Sequence, residues 1–147
     1  MSFGSAASRR PRRLDDSAPC PCGSGDAFGG CCGSVIAGAD APTAERLMRS
    51  RYTAFWLGDA GHLTRTWHPR TRPDDIDVDP EVRWTRLEIV DAAGGGQEDA
   101  TGVVEFRAGW AQRSGGTEGE LHERSRFARV RGRWFYLDAD PRPRERP

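Results

Sequence analysis

Between positions 43 and 58, apolar side chains recur at helical spacing. Ala44, Leu47, Met48, Tyr52, Phe55 and Trp56 share one stripe of a helix advancing about 100° per residue. Thr43 is placed to cap its start, and Gly58 lies where it should end. A second, short helix is predicted over 60–67, stopped by Pro69. After the polar stretch PRTRPDDIDVDP at 69–80, the pattern changes to strand character in four runs: 82–90, 102–112, 120–130 and 133–138. The connections AAGGGQED, RSGGTEG and RG suit hairpins, so the sheet is expected to be antiparallel. Helix, helix, four strands reads as an α+β domain over residues 42–140.

The flanks carry no such periodicity. Residues 1–18 are rich in Ser, Ala and Arg and read as a flexible basic tail, 34–41 as a small-residue linker, and 141–147 as a second disordered tail. Five Trp, six Phe and two Tyr give the domain bulky residues to build a core around. The 22 basic and 22 acidic residues cancel, so no global field draws the chain to polyanions or membrane surfaces. No run approaches the roughly 20 apolar residues of a membrane span, and no apolar segment follows the basic start as a secretory signal requires. A cytoplasmic location is the default expectation, and in a reducing compartment clustered cysteines point to metal or redox chemistry.

All four cysteines lie in C20-P-C-G-S-G-D-A-F-G-G-C-C32. Zinc takes four soft ligands in a tetrahedron, and Gly23 and Gly25 let the backbone fold back so that Cys31 and Cys32 complete a set begun by Cys20 and Cys22. Phe28 is the one sizeable apolar side chain between the pairs, too little to offset an ordering cost on the order of 1–2 kcal/mol per residue. Structural zinc contributes on the order of 10–16 kcal/mol in small modules. Disulfides within Cys20/Cys22 or Cys31/Cys32 would be strained, and the redox spacing C-x-x-C is absent. Four thiolates also leave no open position for catalysis, so one structural zinc is expected. Because the helix and strands contain no cysteine, the domain at 42–140 is expected to fold without the metal.

C-P-C-G-S-G, five residues, then C-C resembles the SEC-C zinc motif found at the end of the SecA translocation ATPase and in other bacterial proteins. The blocks AERLMRSRYTAFWLGDAGHLTRTWHPRTRP, VRWTRLEI, VVEFRA, LHERSRF and GRWFYL resemble the YchJ family of uncharacterised bacterial proteins. There a SEC-C motif precedes a nuclear transport factor 2-like domain. The resemblance covers residues 19 to about 138. It implies a curved antiparallel sheet wrapped around N-terminal helices as a cone with an interior pocket, a fold that hosts enzymes and binding modules alike. In the SecA version Lys-rich positions follow G-S-G and the last ligand is often His, whereas this chain has Asp26, Ala27 and Cys32. Residues 1–38 carry four Arg and three Asp, so with a zinc tetrathiolate the module is near minus one, about two of those negative charges coming from the cluster. That charge argues against docking on an acidic chaperone and against nucleic acid.

Within the domain, Arg51 falls inside the apolar helical stripe while Arg49 points away. A partly buried Arg needs a carboxylate or carbonyl. Leu121, Glu123, Ser125 and Phe127 share one strand face, which makes Glu123 the first choice of partner, and Glu105, set among apolar residues, the second. His68 and His122 are general-base candidates if they line a pocket. The run Asp74, Asp75, Asp77, Asp79 does not fit a calcium loop: counting from Asp75, the Gly and Glu positions hold Pro80 and Arg86. Two functions remain open. One is a zinc-containing adaptor or binding protein, with a partner protein at the zinc motif or a small ligand in the cone. The other is a small-molecule enzyme of isomerase, dehydratase or hydrolase type using His68, Glu105, His122 or Glu123 in the cone pocket, with Arg51 a further ligand-binding candidate.

Overall fold

The computed structural model describes residues 10–140; residues 1–9 of the tail expected at 1–18, and the tail expected at 141–147, lie outside the described residues. A 3-10 turn at Phe28–Gly30 is followed by helices α1 (Cys32–Ile36), α2 (Ala44–Leu57) and α3 (Ala60–Arg65) and strands β1 (Val82–Gly94), β2 (Thr101–Gln112), β3 (Glu118–Val130) and β4 (Arg133–Asp140). Thr43 Oγ1 accepts from the Arg46 amide at 3.1 Å, and Gly58 ends α2 in the left-handed region at φ 81°. Both are the signals read from the sequence. Asp59 caps α3, accepting from the His62 amide at 3.0 Å. Helix α3 stops two residues before the predicted end because the chain is captured by β4. Tyr136 donates to Thr66 O and accepts from the His68 amide, each at 2.8 Å.

The four strands form one antiparallel sheet in the order β1-β2-β3-β4. Bulges interrupt β1 between Trp84 and Arg86 and between Ile89 and Asp91, and β3 pairing between Arg126 and Phe127; each adds local bend and twist, curving the sheet. Strand β1 outruns its predicted length because Asp91 to Gly94 find partners in Glu105 to Gly102. The β1–β2 turn is tied to the helical layer, since Gly95 O accepts from the Ala44 amide at 2.9 Å. Val104, Phe106 and Ala108 of β2 and Phe127 of β3 face the helices and close a core with Leu47, Met48 and Tyr52.

Two expectations about the N-terminal third change. The described part of the supposed tail is packed: Arg12 donates to Leu57 O (2.7 Å) and Trp56 O (2.8 Å), its guanidinium lies 4.0 Å from the Trp56 ring centroid, and Leu14 packs on the core. The supposed linker begins as helix α1, which buries Val35, and ends at buried Ala41. Consequently the cysteine segment is no tethered appendage. Cys20, Cys22, Phe28, Cys31, Cys32 and Val35 belong to the same buried cluster as Leu47, Met48 and Tyr52. The expectation that 42–140 folds without the metal treated each region's pattern alone; in the structure the cysteine segment shares that domain's core. Among the described residues no helix is long and apolar enough to cross a membrane.

Candidate metal centre and cone pocket

The cysteine segment folds as a small loop closed on itself. Pro19 bridges Ala27, Cys20 N donates to Asp26 O at 3.0 Å, and Gly23 N donates to Cys20 O at 3.1 Å. Gly23 and Gly25 sit at φ 79° and 92°, where a side chain would be strained. The 3-10 turn and the start of α1 then return Cys31 and Cys32 to the first pair. The four Sγ atoms lie within 4.8 Å of one another, all cysteines are buried, and all four are free of disulfides. Ligands about 2.3 Å from a tetrahedral zinc would be about 3.8 Å apart. Cys22 Sγ and Cys31 Sγ are 3.7 Å apart. The donor set therefore fits a thiophilic metal, and the cluster could hold one. Hydrogen bonding from Cys20 and Cys32 holds Cys22 below the ordinary thiol range, while the same contacts contribute to pushing Cys20 and Cys32 up.

Helix α2 supports this loop from outside its apolar stripe. Arg49, paired with Glu45 at 3.0 Å, also donates to Cys22 O at 2.9 Å. Thr53 Oγ1 lies 3.9 Å from Cys20 Sγ, and Ser24 Oγ lies 3.2 Å from Cys31 Sγ. The residue that the helical pattern turned away from the core thus faces the metal candidate.

Between α2 and the inner sheet face lies a pocket of about 210 Å³. Of the predicted ligand-binding residues, Arg51 and Glu123 line it; His68, Glu105 and His122 do not. Arg51 is 4% exposed, and its Nη1 donates to Leu63 O at 2.9 Å and Thr66 Oγ1 at 2.7 Å. Its guanidinium lies 4.5 Å from the Tyr136 ring centroid and 5.2 Å from that of Trp67. Burial lowers its pKa to about 10, so it stays a cation at neutral pH. Burial likewise raises the Glu123 carboxyl, against the opposing pull of Arg51.

The expected direct partnership of Arg51 with Glu123 is not formed: the two interact through space, and no ion pair joins them among the described residues. A carbonyl, a hydroxyl and two aromatic faces take the place of the carboxylate. Arg51→Met is therefore expected to cost about 1–3 kcal/mol, from losing the buried bonds to Leu63 O and Thr66 Oγ1. A urea-unfolding double-mutant cycle with Glu123→Gln should give a coupling below about 1 kcal/mol, and coupling in the 3–5 kcal/mol range of a broken buried pair would contradict the observed partners.

Glu105 and His122 lie on the opposite sheet face. Val104, Phe106 and Ala108 occupy the inner positions of β2, and Leu121, Glu123, Ser125 and Phe127 share the inner face of β3, so the intervening residues point outward. There His122 Nε2 meets Glu105 Oε2 at 2.6 Å, and Arg124 Nη1 bridges Glu105 at 3.0 Å and Asp91 at 3.3 Å. Hydrogen bonding by His122, then by Arg124, holds the Glu105 carboxyl below its ordinary range despite the covering side chains. His68 also lies elsewhere: its Nδ1 accepts from the Arg70 amide at 3.1 Å, and its ring meets Phe135 edge-on. The acidic run lies in an exposed loop whose Asp75, Asp77 and Asp79 share an open groove with Arg10, Arg12 and Arg113.

Three polar features were not singled out from the sequence. Ser125 and Trp67 line the pocket, and Ser125 Oγ and Trp67 Nε1 are buried without a hydrogen-bond partner. Ser125 was legible as a polar residue within an apolar face; Trp67 carried no signal beyond being aromatic. His62 is 2% exposed and pairs with Ser50 Oγ at 2.9 Å, away from this pocket.

The family described as YchJ, middle NTF2-like domain, matches residues 43–139. The chain is 55% identical to a UPF0225 protein of Streptomyces coelicolor, over 83% of this chain and 94% of that one. It is 46% identical to a UPF0225 protein of Deinococcus radiodurans, over 82% and 88% of the two chains. The solution structure of a SEC-C motif containing protein from Rhodopseudomonas palustris is similar at TM-score 0.72 and 36% identity, covering 82% of this chain and 96% of that one. A crystal structure of a SEC-C motif containing protein from Psychrobacter arcticus is similar at TM-score 0.69 and 25% identity, covering 92% and 88%.

Proposed function

The chain belongs to the YchJ family, and from that premise we propose that it is a binding protein with one structural zinc at Cys20, Cys22, Cys31 and Cys32 and a ligand site in the cone. The observation that carries the metal reading is the donor set: four buried thiols within 4.8 Å of one another, with Arg49 and Thr53 of α2 against their loop. Zinc bound there ties the loop at 19–33 to the core and leaves no ligand position for a reacting water. The SEC-C motif proteins among the similar structures support the same assignment.

Binding is favoured over catalysis by what lines the cone. Neither His68 nor His122 reaches the pocket, so the enzyme reading loses its general-base candidates and keeps only Arg51 and Glu123. Those two groups orient a ligand; they offer no nucleophile with an adjacent base. Elemental analysis of protein purified without added metal should find one zinc per chain, and cobalt substitution should give the spectrum of a tetrahedral thiolate site. Metal-free protein with four freely titratable thiols would refute the assignment.

A further inference from the structure

The cone pocket holds polar groups that the fold leaves without partners, and they converge from different elements. Ser125, on the inner face of β3, is 1% exposed, and its hydroxyl makes no hydrogen bond. Trp67, just beyond α3, buries an unpaired indole N–H in the same wall. Arg51 spends only Nη1 on the protein, so Nε and Nη2 make no hydrogen bond among the described residues. Glu123 brings a carboxylate that likewise accepts no hydrogen bond there. Buried polar groups are nearly always paired, and leaving one unmade costs more than a typical bond gains. Three donors and one acceptor around an aromatic pocket describe a ligand by its complement.

We propose that the pocket takes a small planar amide: a single ring carrying a carboxamide, or a lactam of that size. The proposal rests on reading the cone as a binding site. Size sets the ring count, because an apolar cavity of about 150 Å³ holds benzene and this one is about 210 Å³. One ring and an amide group fill it. Charge sets the class. Buried Arg51 repels an ammonium ligand, Glu123 repels a carboxylate, and either ion would also have to shed its water. A neutral amide meets both: its carbonyl accepts from Arg51, Trp67 or Ser125, and its N–H donates to Glu123. The rings of Tyr52, Trp84 and Tyr136 flank the space the ligand ring would occupy.

The test uses the full metal-loaded chain and three probes of one shape, benzamide, benzoate and benzylammonium, titrated by calorimetry and by the indole N–H signals in NMR. Benzamide should saturate and bind at least roughly tenfold tighter than either ion, with the Trp67 signal, assigned through Trp67→Phe, moving most. Ser125→Ala and Trp67→Phe should each weaken benzamide by roughly three- to tenfold, the equivalent of one net hydrogen bond. Ser125→Ala should at the same time leave the thermal midpoint unchanged or higher, since it deletes a hydroxyl with no partner. Glu123→Gln should narrow the gap between benzamide and benzoate. A charged probe that binds as tightly as benzamide overturns the amide class while leaving the cone a binding site. Failure of all three to saturate at about 10 mM, weaker than most specific fragments, overturns the cone as a binding site and leaves the metal centre standing.

Discussion

Stripping the metal, or replacing Cys22 by Ser, is expected to lower the midpoint of thermal unfolding of the whole described domain by about 10–20 °C. The figure follows from the shared core. If the loop loosens, Phe28 and Val35 leave the buried cluster that they share with Leu47, Met48 and Tyr52. Two or three such side chains at about 1.5–3 kcal/mol each give roughly 4–6 kcal/mol. For a chain of this size one kcal/mol moves the midpoint by roughly 2–4 °C. The Arg49 bond to Cys22 O goes with the loop, freeing a cation that still holds Glu45. Calorimetry on metal-loaded and chelated protein should show one transition moving as a unit. An unmoved main transition, with a separate small event for the cysteine loop, would mean that the loop is an independent module after all.

His62 should make the fold sensitive to mild acid. Burial lowers its pKa from an ordinary 6.5 to about 4, with Arg51 and Arg65 adding to the shift and Asp59 opposing it. The unfolded chain therefore takes up a proton between pH 6.5 and 4 that the folded chain refuses. Stability is fully present above pH 6.5 and falls as pH drops through that window. The loss reaches roughly 3 kcal/mol by its lower end. Arg51, Arg65 and Asp59 are retained in a His62→Gln variant, whose side chain can still meet Ser50, so the difference between the two pH profiles isolates the imidazole. Urea unfolding at pH 7, 5.5 and 4.5 should show the parent losing stability more steeply than the variant. Parallel profiles would mean that His62 is protonated within the fold.

The local pattern along the chain specifies the elements whose signals act over one turn or one hairpin. Thr43 and Gly58 bracket α2 because a cap and a left-handed stop act on the next turn of chain, and the Gly-rich connections close hairpins without reference to anything distant. It also placed Glu123, Ser125 and Phe127 on one face of β3, because side chains two apart along a strand share a face. The proximity of the four cysteines was legible for the same reason, since all four lie within thirteen residues and Gly23 and Gly25 let the backbone turn back between the pairs.

What spans the chain was decided only in three dimensions. Glu105 sits in a nearly continuous apolar stretch, VVEF, where period two is invisible, and only pairing with β3 set its face outward beside His122. Arg51 declared a need for a partner but could not name one. Leu63 O, Thr66 and the ring of Tyr136 fill that role because α3 and β4 happen to converge on α2. Residues 10–18 and 34–41 lack periodicity, so their order comes from the surfaces they land on, Trp56 for Arg12 and the buried cluster for Val35. Helical and strand patterns report what a segment does with its neighbours in sequence. Which charge is buried, which face of β2 meets solvent and whether the cysteine loop shares the core depend on contacts tens of residues apart, and no local pattern encodes those.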